Sequence, residues 1–88
     1  MTEQRHLLVV DDDDRIRNLL KEYLARAGFR VTAAADAGAA RRVLAVIEFD
    51  LLILDVMMPG EDGLSICRWL RAEAGSMAHT PILMLTAR

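Results

Sequence analysis

Apolar runs of only four or five residues recur along this chain, and between them the apolar residues switch to helical spacing. "LLVV" at 7–10 suits a strand covered on both faces, "FRVTAAA" at 29–35 reads as a second strand, "DLLILD" at 50–55 is the strongest strand, and "ILMLT" at 82–86 is the last. After the first run, Ile16, Leu19, Leu20, Tyr23, Leu24 and Ala27 form a helical stripe, and Gly28 supplies a stop. Asp36 is placed to cap a second helix carrying Ala40, Val43, Leu44 and Ile47. A loop, "VMMPGEDG", precedes a third helix through "LSICRWLRAEA", with its stripe at Leu64, Cys67, Leu70 and Ala74. The predicted order is β-α-β-α-β-α-β.

Strands that alternate with helices imply an α/β fold with a parallel sheet and helices on both faces. Right-handed crossovers leave few arrangements. The flavodoxin-like order 2-1-3-4 makes the first and third strands neighbours at the point where the winding reverses. Such sheets bind ligands at the carboxyl ends of those strands, and here these ends are Asp11-Asp12 and Asp55.

Composition narrows the class. A chain of 88 residues, 53% hydrophobic and 27% charged, is one small folded domain. Its formal charge of −2 argues against broad nucleic-acid binding. No apolar run approaches the ~20 residues of a membrane span, and the N-terminal "MTEQRH" does not read as a signal peptide. The single cysteine, Cys67, cannot form an internal disulfide, which points to a cytoplasmic, reducing setting.

Asp11 to Asp14 place four acids in a row behind an apolar strand. Asp13 and Asp14 have a local explanation, because acids at a helix start face free amide donors and a favourable dipole. Capping does not explain Asp55 at the end of another strand. Three carboxylates converging at one sheet edge raise each other's pKa unless a cation joins them, and Mg²⁺ is the hard, oxygen-seeking candidate. Asp55 is then a possible nucleophile that could become an aspartyl phosphate.

"LLVVDDD", "LLILDVMMPGEDGL" and "PILMLTA", in this order across the whole chain, resemble the bacterial response-regulator receiver domain of two-component signalling. The resemblance implies that Asp55 accepts a phosphoryl group from a sensor histidine kinase. It implies Mg²⁺ held by Asp12 and Asp55 directly, by Asp11 through water and by the Met57 backbone carbonyl. Thr86 resembles the switch hydroxyl, the Ala87 amide a second donor to the phosphoryl group, and Met57 and Arg88 the flanking positions that tune its hydrolysis. Such a domain is no enzyme beyond its own phosphorylation and dephosphorylation. The "PGEDGLSICR" stretch is similar to the winged-helix transcription-factor branch, so DNA would be met only through an output domain outside this chain.

The pattern also departs from the family. Residues 1–88 read as a receiver domain that stops before the last strand and helices. The family's phosphate-sensing lysine has no counterpart, since the only lysine, Lys21, lies in the first helix. Two rivals follow: a degenerate interaction module that is never phosphorylated, and a haloacid-dehalogenase-type phosphatase using Asp11 and Asp13. An uncovered fourth strand would make this chain self-associate, and a C-terminal carboxylate two residues past Thr86, near where the family places its lysine, would make it accept phosphoryl groups poorly. Pro59 and Gly60 are expected to shape the loop as a type II turn, and Gly63 to set the helix start. Cys67 reads as inert packing, His6 and His79 as solvated, Trp69 as partly exposed, and Tyr23 as core edge.

Overall fold

The computed structural model describes residues 4–58, 60–73, 75 and 78–85. In chain order the elements are β1 (His6–Val10), α1 (Asp14–Arg26), β2 (Arg30–Ala34), α2 (Ala37–Leu44), β3 (Leu51–Asp55), α3 (Gly63–Glu73) and β4 (Ile82–Leu85). The strands form one parallel sheet in the order β2-β1-β3-β4, as expected for a flavodoxin-like sheet. β1 pairs with β2 on one side and β3 on the other, so Leu7 to Val10 are buried on both faces.

Alternation along the strands divides the core. Leu8, Val10, Leu52 and Leu54 pack with Ala37, Ala40 and Leu44 of α2 and with Ile66 and Leu70 of α3. Leu7, Val9 and Ile53 point the other way, where α1 lies against β1 and β2. Each fully buried Leu or Ile side chain contributes about 1.5–3 kcal/mol, so these strands anchor everything that rides on their ends.

Local signals set the helix ends. The Asp13 carboxylate accepts from the Arg15 and Ile16 amides, and the Asp36 carboxylate from the Ala39 amide. After α1, Gly28 adopts φ +103°; its amide bonds the Ala25 carbonyl while the Phe29 amide bonds that of Leu24. That double bond closes the helix and needs a positive φ at its centre.

Three expectations about the helices need correction. Tyr23 is not core edge: it is 68% exposed, with Leu19 and Ile16 beside it. α1 meets the sheet through half-buried Leu20 and Leu24 instead, a narrower contact than its apolar stripe. In α3 the inward residues are Gly63, Ile66 and Leu70, whereas Leu64 is exposed and Cys67 only half-buried. Ala74, the stripe's last member, lies outside the described residues.

His6, expected to be solvated, closes the sheet end opposite Asp55. Its Nε2 lies 2.7 Å from Thr32 Oγ1, its ring packs 4.6 Å from that of Phe49, and its amide donates to Asp50 Oδ2. Burial lowers the imidazole pKa below 6.5; Arg30 acts in the same direction and Asp50 opposes. His79 is exposed and Trp69 half-buried, as expected. Among the described residues no helix is long and apolar enough to cross a membrane.

Candidate metal centre

Val10 pairs with Leu54, so Asp11, just past the end of β1, and Asp55, the last residue of β3, stand side by side. Asp12 joins them: one carboxylate oxygen from each of Asp11, Asp12 and Asp55 lies within 4.8 Å of the others. Oxygens on opposite sides of an octahedral Mg²⁺ stand about 4.2 Å apart, twice its bond length of about 2.1 Å. The donor set, all hard oxygen and nearly at that spread, fits such an ion. Thioethers are soft donors, so Met57 and Met58 contribute no side-chain ligand.

Each acid of the run has a distinct setting. Asp11 is 3% exposed; its Oδ1 accepts from the Asp13 amide at 2.9 Å, which fixes the side chain at the strand end. Asp12 is exposed. Asp13 caps α1, and Asp14 pairs with Arg17. Two of the four therefore face the crevice and two begin the helix, as the sequence suggests.

Asp55 is half-buried, and its Oδ1 accepts from the Met57 amide at 3.1 Å. Burial raises its pKa above the ordinary 3.8; the Met57 amide opposes this. The charges of Asp11 and Asp12 raise it further, as does a carboxyl–carboxyl hydrogen bond with Asp12. Such a site favours positive charge. Met57 is 65% exposed beside Asp55, and a shallow pocket lined by Val56, Met57, Met58, Gly60 and Asp62 opens along the same loop.

Sequence reasoning misses two parts of this frame. Arg17 Nη1 donates to the Asp11 carbonyl at 2.8 Å, so this cation braces the backbone of the cluster while its other arm holds Asp14. Its position three residues after Asp14 is the available signal. Gly63 does more than set the helix start. A Cβ there would meet the Asp55 carbonyl oxygen at 2.5 Å, so α3 begins directly against the backbone bearing Asp55. Gly60 has φ +81°, the positive value that the expected turn demands, while Pro59 lies outside the described residues. So do Thr86, Ala87 and Arg88. Lys21 is exposed on α1.

Comparison with known proteins agrees with this architecture. The chain is 61% identical to the protein PetR of Rhodobacter capsulatus, over 94% of this chain and 33% of PetR. It is 51% identical to the transcriptional regulatory protein GltR of Pseudomonas aeruginosa, over 94% of this chain and 34% of GltR. It thus spans about a third of the length of these relatives. Among solved structures it matches the chemotaxis response regulator CheY4 of Vibrio cholerae with a TM-score of 0.92 and 35% identity, covering 98% of this chain and 71% of that one. Residues 7–88 match the family model of the response regulator receiver domain, and the chain belongs to that family.

Proposed function

We propose that this chain is the phosphoacceptor of a two-component phosphorelay, with Asp55 as the residue modified. The observation that carries the reading is the convergence of Asp11, Asp12 and Asp55 at the carboxyl ends of adjacent strands. Asp12, Asp55 and the Met57 backbone carbonyl would hold Mg²⁺ directly, and Asp11 through water. When bound, the ion neutralises these carboxylates and the oxygens of an incoming phosphoryl group.

The chain's own residues do the rest by position, which is most of what phosphoryl transfer requires. The Asp13 amide and Arg17 hold Asp11 in place, and the Met57 amide orients Asp55. An Asp55 oxygen attacks phosphorus as the bond to the kinase imidazole nitrogen breaks. That nitrogen leaves with the electron pair and takes a proton, and an acyl phosphate remains. Thr86 and Ala87 are the residues we assign to donate to the phosphoryl oxygens.

The partners we assign are a sensor histidine kinase and, through an output domain beyond the matched third of its relatives, DNA. The relatives named as transcriptional regulators support this. The setting we assign is the cytoplasm, and the role that of a switch which turns over no external substrate.

The test has two arms. Mg²⁺ should raise the melting temperature by mass action. Asp12→Ala should remove most of that response, whereas Asp14→Ala should alter only the helix start. An equal response in both variants would sink the metal assignment. In a chain of the relatives' full length, a small phosphodonor with Mg²⁺ should then add one phosphoryl group, located by borohydride trapping and peptide mass mapping, and lost in Asp55→Asn. Modification at Asp11 would favour the phosphatase chemistry instead, and no Mg²⁺ response at all would favour the degenerate module.

A further inference from the structure

Arg41 of α2, Glu61 of the loop after β3 and Trp69 of α3 meet at one point. Both Nη groups of Arg41 donate to the two carboxylate oxygens of Glu61, twenty residues away in sequence. The two side chains are 33% and 32% exposed, and the guanidinium carbon stands 5.5 Å from the centre of the Trp69 ring. The planar fork of arginine matches a carboxylate in this two-pronged way, and its face suits an aromatic ring. Arg41 Nε is buried and has no partner among the described residues. The guanidinium is therefore oriented by Glu61 at its edge and Trp69 at its face.

The position of Glu61 gives this contact its meaning. The same loop carries Met57, whose backbone stands at the candidate metal centre. Among the described residues, the loop's other hydrogen bonds run to its own two ends and, from the Val56 amide, to the Leu85 carbonyl of β4, while Met58 is buried in the core. The Met57 amide bonds Asp55, the Gly63 amide bonds the Val56 carbonyl, and the Asp62 carboxylate caps α3 by accepting from Ser65. Arg41 adds a tie to α2, which is itself anchored through buried Ala37, Ala40 and Leu44. An isolated surface ion pair contributes little because water screens it and two long side chains must be ordered. Here the pair is two-pronged, two-thirds covered and backed by a ring.

We infer that Arg41 and Glu61, backed by Trp69, form a clamp that holds the loop after Asp55 in the conformation the metal centre needs. Neither residue is a ligand; both position one. The clamp stands on its own geometry, while its consequence for the metal rests on the function proposed above.

The test compares the unaltered chain with Glu61→Gln, Arg41→Lys and the swapped pair Arg41→Glu with Glu61→Arg. Backbone hydrogen exchange is read without metal, and Mg²⁺ affinity by calorimetry. Glu61→Gln should speed exchange at Met57, Met58 and Gly60 by about fivefold or more while the amides of β1 and β3 stay protected. Mg²⁺ should bind about tenfold more weakly, the scale seen when a residue that orients a ligand is lost. Arg41→Lys, which keeps the charge without the fork, should fall between, and the swapped pair should recover most of the loss. Loop exchange at the unaltered rate in Glu61→Gln would overturn the clamp. Faster exchange with unchanged Mg²⁺ affinity would overturn its positioning role. If the unaltered chain binds no Mg²⁺, the functional reading fails, and the exchange arm still decides whether the clamp exists.

Discussion

Asp55 is held in a fold that disfavours its charge. Burial comes first, then the neighbouring Asp11 and Asp12, so its carboxyl titrates above 3.8. A group whose pKa is raised on folding is bound to its proton more tightly in the native state. The resulting stability is fully present below the unfolded value and lost as pH rises through the native one. Without divalent ions, Asp55→Asn should therefore raise the melting temperature at neutral pH, and the gain should vanish below pH 3.8. Mg²⁺ should stabilise the unaltered chain and not the variant. Melts at two pH values, with and without the ion, check all of this. The three acids were legible because strand ends and sheet order together dictate where they point. The settings of His6 and Arg41 were not. One depends on Thr32 and Phe49, the other on Glu61, and no spacing rule links residues so far apart.

Among the elements, α3 shows how one residue fixes the phase of a helix. Period alone allowed the stripe Leu64–Cys67–Leu70. The need for Gly63 to touch the Asp55 backbone turns the helix so that Ile66 and Leu70 face inward. A glycine at the start of an apolar helix was the readable signal, yet its reason is a tertiary contact. Gly63→Ala should cost about 1–3 kcal/mol, because the added methyl meets backbone that cannot swing away. It should also weaken the response to Mg²⁺. Gly28→Ala, at φ +103° with open space around it, should cost about 1–2 kcal/mol through backbone strain alone and leave that response intact. Urea titrations of both variants, repeated with the ion, separate the two effects. For α1 the sequence overstated the contact. A stripe of apolar residues says which side faces in, but not how wide a surface is there to receive it.

At the scale of the whole molecule, β4 ends the described sheet on one side, and Leu83 there is 53% exposed. It shares its side of the sheet with Ile53, and on that side α1 leaves Leu19 and Tyr23 open to water. A strand edge and apolar side chains left open among the described residues favour pairing between chains. The 88-residue chain should therefore sediment as a concentration-dependent oligomer, and Leu83→Lys should shift it toward monomer. Sedimentation as a monomer at every concentration would contradict this. The order of strands was legible because alternating elements and right-handed crossovers permit so few sheets. That order also has a kinetic consequence. Besides pairing with β2, β1 must find β3, closing a span of 44 residues before that second ladder can form. That closure brings three like charges together as it completes. The acidic crevice is thus completed only by the event that joins the two halves of the sheet. An ion that fits the crevice would act chiefly as a latch on the finished fold, slowing its opening more than hastening its formation.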